Sequence, residues 1–161
     1  MAVFCTPTVN GYGRFRPNAL APQAIVWGRD NRGAMLRVVG NNTMDAGGFT
    51  CDPATRIENR IGEPAANPYL YMASQIHAGL DGLQRKLLAP SATDRPYDAG
   101  NTMLPTSLGD ALAALRADDA LVQAFGPAFV NYLCTIKRSE LDRHAQAQDP
   151  HDWERREYFS R

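Results

Sequence analysis

Apolar positions fall into two regimes along the chain. Up to about residue 62 they occur in short runs broken by Gly, Pro and Asn, as strands punctuated by turns do. Residues 23–28 (QAIVWG) and 34–39 (AMLRVV) are strand candidates, and residues 55–61 (TRIENRI) a third, with the turn-rich NNTMDAGGF before it. From Asn67 the spacing becomes helical. Asn67 is a candidate N-cap, and Pro68 falls at the first helical position, which proline favours. Leu70, Ala73, Ile76, Leu80, Leu83 and Leu87 then recur at three- and four-residue spacing and give one apolar stripe up to about Leu88. Residues 89–106 carry Pro90, Pro96, Gly100 and Pro105 and read as a long surface loop. Ser107 with Asp110 makes a capping-box-like start for a helix through about Arg116. Asp118 or Asp119 caps a short helix ending before Gly126. Pro127 opens another, with Phe129, Leu133, Ile136 and Glu140 on one face, and a last helix over residues 150–159 carries Trp153. There is no internal repeat.

Strands first and helices afterwards predict an α+β fold with an antiparallel or mixed sheet. About three strands leave open edges and an uncovered face, a first sign that the chain is a piece of something larger. Its 161 residues suffice for one domain with a sizeable core, or for part of a larger one. The opening MAVFCTPTVN has neither a charged n-region nor an apolar run, so no signal peptide is expected. No stretch approaches the ~18 apolar residues of a membrane span. Cys5, Cys51 and Cys134 are odd in number, with no C-x-x-C, and read as reduced cysteines of a cytoplasmic protein.

Charge sharpens the division. Seventeen basic residues balance seventeen acidic ones, which argues against a nucleic-acid-coating protein. Residues 1–60 nevertheless hold seven Arg, no Lys and four acids, a net of +3, and residues 61–161 a net of −3. Arg without Lys fits forked recognition of carboxylate or phosphate, although codon bias also enriches Arg.

TRIENRI is the most informative segment. In a strand, Arg56, Glu58 and Arg60 share one face, with Ile57, Asn59 and Ile61 on the other. Such a row is either a surface salt-bridge ladder of little energetic worth, or the floor of an anion site with Glu58 available to a hard cation such as Mg²⁺ or Mn²⁺. GRDNRGAMLRV adds Arg29, Arg32 and Arg37, and NGYGRFRP adds Arg14 and Arg16 in a Gly-flanked loop. Several Arg with one carboxylate suit a polyphosphate–metal–carboxylate assembly, yet each Arg alone reads equally as solvated or structural. His77 reads as a packing residue and His144 and His151 as solvated, and Tyr97 lies in the long loop. The P-loop, dinucleotide-binding, zinc-protease and nucleophile-elbow motifs are absent from the sequence.

In order, these segments resemble the C-terminal part of the glutamine synthetase catalytic domain. PTVNGYGRFRPNALAP is similar to that family's PTVNSYKRL…AP loop, and WGRDNRGAMLRV to its NRS…IR segment. RIENRIGEPAANPYLYMASQIHAGLDG resembles its RIExR…ANPYL…AGLDGI signature. SLGDALAALRADDAL and FGPAFVNYLCTIKRSE resemble its closing helices. The resemblance covers nearly the whole chain and implies a few antiparallel strands followed by packed helices. It also implies ATP-dependent ligation of ammonia or an organic amine to the γ-carboxylate of glutamate through γ-glutamyl phosphate, with ATP and Mg²⁺ or Mn²⁺ as cofactors and a homo-oligomer as the full-length form. Position by position, it makes Arg14 and Arg60 glutamate-binding, Arg32 catalytic toward the transferred phosphate, Arg37 and Arg56 ATP-binding, and Glu58 a metal ligand. A guanidino kinase, which shares the broad fold, has no such sequence match.

Two departures qualify that expectation. Ammonium-using members carry a Glu in the loop after NSYKR, where the shared Ala-Pro aligns Leu20. A small cation is costly to desolvate without an anionic pocket, so Leu20 points to a larger amine with an apolar body. The family's N-terminal β-grasp domain and its other metal carboxylates have no counterpart in the chain. Residues 1–62 are then an active-site segment and residues 67–161 a helical one, and the isolated chain is expected to be inactive. The alternative is a non-catalytic assembly or regulatory module derived from the same fold.

Overall fold

The computed structural model describes the chain except for Pro17, Asn18, Leu20, Asn42, Ala46, Gly47 and Arg161. Two compact units interleave along it. A helical unit comprises Met1–Gly13, Gly62–Leu88 and Pro105–Arg161, and a strand unit comprises Arg14–Ile61 and Ala89–Leu104.

The strand unit holds β1 (Trp27–Arg29), β2 (Leu36–Val39) and β5 (Arg56–Asn59) in the order β1-β2-β5. A separate hairpin is formed by β3 (Thr43–Asp45) and β4 (Gly48–Thr50). β2 and β5 are antiparallel, with Arg37 opposite Glu58 and Val39 opposite Arg56. β1 and β2 are parallel, with Gly28 opposite Arg37. The sheet is therefore mixed, not purely antiparallel. The return between β1 and β2 is short for a parallel pair, and Asp30 sits in it at φ 46, the left-handed region that Asp tolerates better than most residues. The hairpin lies in the segment whose composition reads only as turns. The loop over residues 89–104 carries no helix or regular strand, as expected, but it is pinned down. Trp27 Nε1 donates to the Pro90 carbonyl at 2.7 Å, and the Thr93 amide to the Trp27 carbonyl at 2.9 Å.

The helical unit consists of α1 (Ala2–Cys5), α2 (Pro68–Gln84), α3 (Leu108–Arg116), α4 (Asp119–Phe125), α5 (Pro127–Ala145) and α6 (Pro150–Phe159). Its boundaries are set by local chemistry. The Asn67 side chain accepts from the Tyr69 and Leu70 amides, Ser107 from Asp110, Asp118 from Leu121, and Asp149 from His151 and Asp152. Gly126 at φ +83 ends α4, and Pro127 starts α5. α2 ends in a Schellman arrangement: Lys86 takes φ 52, and Leu87 N–H reaches back to the Gly82 carbonyl at 2.9 Å.

The core of this unit joins Val3, Phe4 and Cys5 of α1 to Leu108, Leu112 and Leu115 of α3, with Leu121, Val130 and Cys134. Phe125 stacks on Phe4 at 4.5 Å and receives the edge of His77 at 5.4 Å, so His77 is a packing residue. Tyr158 of α6 donates to Glu140 at 2.5 Å and accepts from the Val9 amide at 3.0 Å. Burial first and then the Glu140 carboxylate push the Tyr158 hydroxyl pKa up, keeping it a donor.

Three expectations need correction. The α2 stripe is not the face that the helix buries: Ser74 is its one buried residue, and Ile76 and Leu83 are 60% and 76% exposed. On α5 the inward face is Val130 and Cys134 with Glu140, and Ile136 points outward. His144 is not solvated, since it meets Glu154 at 3.0 Å and the edge of Trp153. His151 is exposed, as expected. Among the described residues the three cysteines are free, and no helix is long and apolar enough to cross a membrane.

Candidate functional site

The six residues singled out by sequence all lie in the strand unit. β5 places Arg56 and Glu58 on one face, and Arg60 continues the alternation just beyond its end. Glu58 is the hub. Its Oε1 accepts from Arg56 at 3.0 Å, and its Oε2 accepts from Arg37 at 3.1 Å and lies 3.7 Å from Arg60 Nη1. The antiparallel register puts Arg37 directly across from Glu58, so the contact follows from strand pairing. Arg37 also pairs with Asp30, which the short return from β1 brings beside it. Its Nε is buried with no hydrogen-bond partner among the described residues.

The row extends through backbone atoms. Arg60 Nε donates to the Arg32 carbonyl at 2.7 Å, and Arg14 Nη2 donates to the Arg60 carbonyl at 2.9 Å. Arg32 is thus tied in by its main chain, while its side chain is exposed. Three guanidiniums, Arg37, Arg56 and Arg60, gather about Glu58, with Asp30 on Arg37, and the Arg14 side chain and the Arg32 main chain attach through Arg60, so the balance is positive. Burial works against the charged Glu58 and is the largest influence on it. Arg37 and Arg56 together outweigh it and hold the carboxyl below its ordinary pKa. The Asp30 hydrogen bond, against the pull of desolvation, raises the Arg37 pKa, with Glu58 adding to it.

Neighbouring residues fix these positions. The Asn31 side chain accepts from the Gly33 amide at 3.0 Å and donates to the Thr93 carbonyl at 3.3 Å, holding the Arg32 turn against the long loop. A Cβ at Gly33 would lie 2.8 Å from the Tyr97 hydroxyl and 2.7 Å from Pro96, so this turn needs a glycine. Within the helical unit, and apart from these residues, Glu63 accepts from the Thr8 amide at 3.2 Å and hydroxyl at 2.7 Å, and it fills the space a Gly11 Cβ would need. Sequence reasoning missed Asp30, Asn31 and Glu63. The D-N-x-G turn signal marks the first two, and nothing local marks Glu63.

Both Glu58 oxygens are occupied by arginines. Among the described residues, no group of three His, Cys, Asp or Glu side chains could hold a metal ion. A complete cation site does not fit the side chains described here. The arrangement suits anions: forked donors held in fixed directions bind phosphate or carboxylate groups. Leu20 lies outside the described residues.

An α+β segment whose strands carry an arginine row around one carboxylate is the class of structure this is. The sequence profile of the glutamine synthetase catalytic domain matches residues 1–158, and the chain belongs to that family. It is 47% identical to a gamma-glutamylanilide synthase from Acinetobacter sp., over 98% of this chain and 32% of the relative. A glutamine synthetase from Methanococcus voltae is 36% identical over 94% of this chain and 34% of its own length. A gamma-glutamylethanolamide synthetase from Streptomyces coelicolor is 35% identical over 96% of this chain and 31% of its own. Among solved structures, GmaS in complex with ADP superposes with a TM-score of 0.74 at 29% identity, covering 99% of this chain and 36% of GmaS. The form without ligand superposes at 0.73 and 32% identity, covering 99% of this chain and 35% of GmaS. The chain spans about a third of the length of the curated relatives it matches.

Proposed function

We propose that this chain supplies the arginine-rich part of the active site of a ligase that joins an organic amine to the γ-carboxylate of glutamate at the expense of ATP. The Glu58 hub carries the reading: one carboxylate holds Arg37, Arg56 and Arg60 in place before any substrate arrives. Preorganised cations are what transfer of a phosphoryl group onto a carboxylate requires, because charge spreads over the phosphoryl oxygens in the transition state. In this reading Arg37 and Arg56 face ATP. Arg14 and Arg60, joined through the Arg60 carbonyl, hold glutamate. The exposed Arg32 meets the transferring phosphate. The amine then displaces phosphate from γ-glutamyl phosphate. Glu58 is at most one ligand of Mg²⁺ or Mn²⁺, and the remaining oxygen ligands come from other parts of the catalytic domain. The assembled enzyme is a homo-oligomer in the cytoplasm, and the chain by itself is inactive. Residues 1–62 and 67–161 act as its active-site and helical segments.

The names of two relatives, an anilide and an ethanolamide synthase, support an organic amine over ammonium, as does Leu20. The test is a chimera in which this chain replaces the matching third of the Acinetobacter synthase. Phosphate release is followed with glutamate, ATP, Mg²⁺ and a panel of alkyl-, hydroxyalkyl- and arylamines alongside ammonium. Turnover with at least one organic amine, above that with ammonium, is the expected result. Ammonium use with no organic amine accepted rejects the amine assignment, and no phosphate release with any acceptor rejects the ligase reading.

A further inference from the structure

We infer that Asp30 is a stand-in anion for Arg37: its carboxylate occupies the guanidinium while the site is empty and gives way to a phosphate group of the nucleotide. The inference rests on the reading of Arg37 as ATP-facing and gives a role to a residue that this reading leaves unused.

The two carboxylates on Arg37 are held very differently. Glu58 accepts from Nη1 at 3.1 Å, also accepts from Arg56, and lies 3.7 Å from Arg60. It stands on β5 directly opposite Arg37, with 27% of its side chain exposed. Asp30 accepts from Nη2, its side chain is 77% exposed, and Arg37 is its one side-chain partner among the described residues. Departure of Glu58 would release three arginines, whereas departure of Asp30 releases one. The Asp30 main chain is anchored independently of that contact. Its amide donates to the Val38 carbonyl at 2.9 Å, and its left-handed φ of 46 belongs to the short return from β1 to β2. A change of side-chain rotamer therefore suffices to free Nη2.

Arg37 is the fixed member of the pair. Its side chain is 13% exposed, and its Nε is buried. The ligand must come to this guanidinium, which is not free to swing out to it. Of the two acceptors only Asp30 stands mostly in solvent, so an anion arriving from solvent meets Arg37 at Nη2. A phosphate oxygen accepts from the same fork as a carboxylate oxygen does. The exchange is cheap, because a mostly exposed carboxylate gains little from its ion pair. Staying is costly, because the Asp30 charge would then face the charge of the phosphate. While the site is empty, the carboxylate offsets the charge of a guanidinium that has lost most of its water.

The test measures the dissociation constant of ADP with Mg²⁺ for the chimera by calorimetric titration. Asp30→Asn removes the charge, and Asn also tolerates the left-handed backbone at this position. Losing a structural contact weakens binding, whereas losing a competitor strengthens it, so the sign of the change decides. Asp30→Asn should bind ADP about two- to fivefold more tightly, the scale on which exposed ion pairs act. Its KM for ATP should fall in parallel, without a rise in kcat. Asp30→Glu, which restores the charge, should return the affinity toward that of the unsubstituted chimera. The control Asp94→Asn, at an exposed acid of the same unit, should leave it unchanged. Unchanged or weaker ADP binding by Asp30→Asn, or equal tightening by Asp94→Asn, overturns the proposal. ADP binding that Arg37→Met abolishes and Asp30→Asn leaves unaltered overturns it while sparing the ATP-facing reading of Arg37. ADP affinity that Arg37→Met does not change rejects that reading, and the proposal with it.

Discussion

The helical unit and the strand unit are held together by different means. In the first, capped helices close over Val3, Phe4, Leu108, Leu112 and Leu115, each no more than 3% exposed. In the second, the central strand β2 has no buried residue, and the cross-strand link is an ion network about Glu58. Apolar burial resists exchange for any ligand. Partly exposed ion pairs contribute little to stability, but they leave guanidiniums aimed and ready to trade one acceptor for another. The helical unit thus rests on a continuous apolar core, whereas the strand unit combines a smaller buried set, Ala24, Ala34, Met35, Ile61 and Leu104, with the ion network about Glu58.

Substitutions can break this contrast in order of size. Leu115→Ala removes a side chain with no exposed surface and should destabilise the helical unit by about 2–5 kcal/mol, read by urea denaturation with helical circular dichroism. The comparison fails if the loss is no larger than that of an exposed substitution such as Leu88→Ala. Gly33→Val forces a side chain into Tyr97 and Pro96 and should cost about 1–3 kcal/mol. The readout is quenching of Trp27, whose indole is bonded to the same long loop. Asn67→Ala deletes the α2 cap and should cost about 1 kcal/mol, seen as faster exchange of the Tyr69 and Leu70 amides.

Acid provides the mildest probe. The folded Glu58 pKa lies below its unfolded value, so its contribution is present above the ordinary carboxylate range and is lost as pH falls through the depressed value. Trp27 emission should therefore change as pH falls below the ordinary carboxylate range in the wild type, while Glu58→Gln should lack that component. Identical acid transitions in the two proteins would remove Glu58 from its central place.

What could be read from sequence divides along the same line. Asn67, Ser107, Asp118 and Pro127 signal helix ends through bonds made within a few residues, so those boundaries are local information. The Arg56, Glu58 and Arg60 row is legible because a strand alternates faces. The D-N-x-G signal marks a turn at Asp30, but its pairing with Arg37 is not legible, because it requires a parallel pairing with β2 and a left-handed backbone, which depend on the rest of the sheet. The β3–β4 hairpin is hidden by a composition that reads only as turns. Glu63 meets Thr8 across fifty-five positions, with no spacing rule to announce it. Periodicity shows that α2 has an apolar face, but it cannot show which way that face turns.

The central claim is that Glu58 organises the reactive arginines, and phosphate release by the chimera tests it most directly. Glu58→Gln keeps the side chain's size and removes the charge that Arg37, Arg56 and Arg60 share. The rate should fall by about 10²–10³, the range seen when one preorganised electrostatic element is lost. Phosphate release within twofold of the unsubstituted chimera would contradict the account.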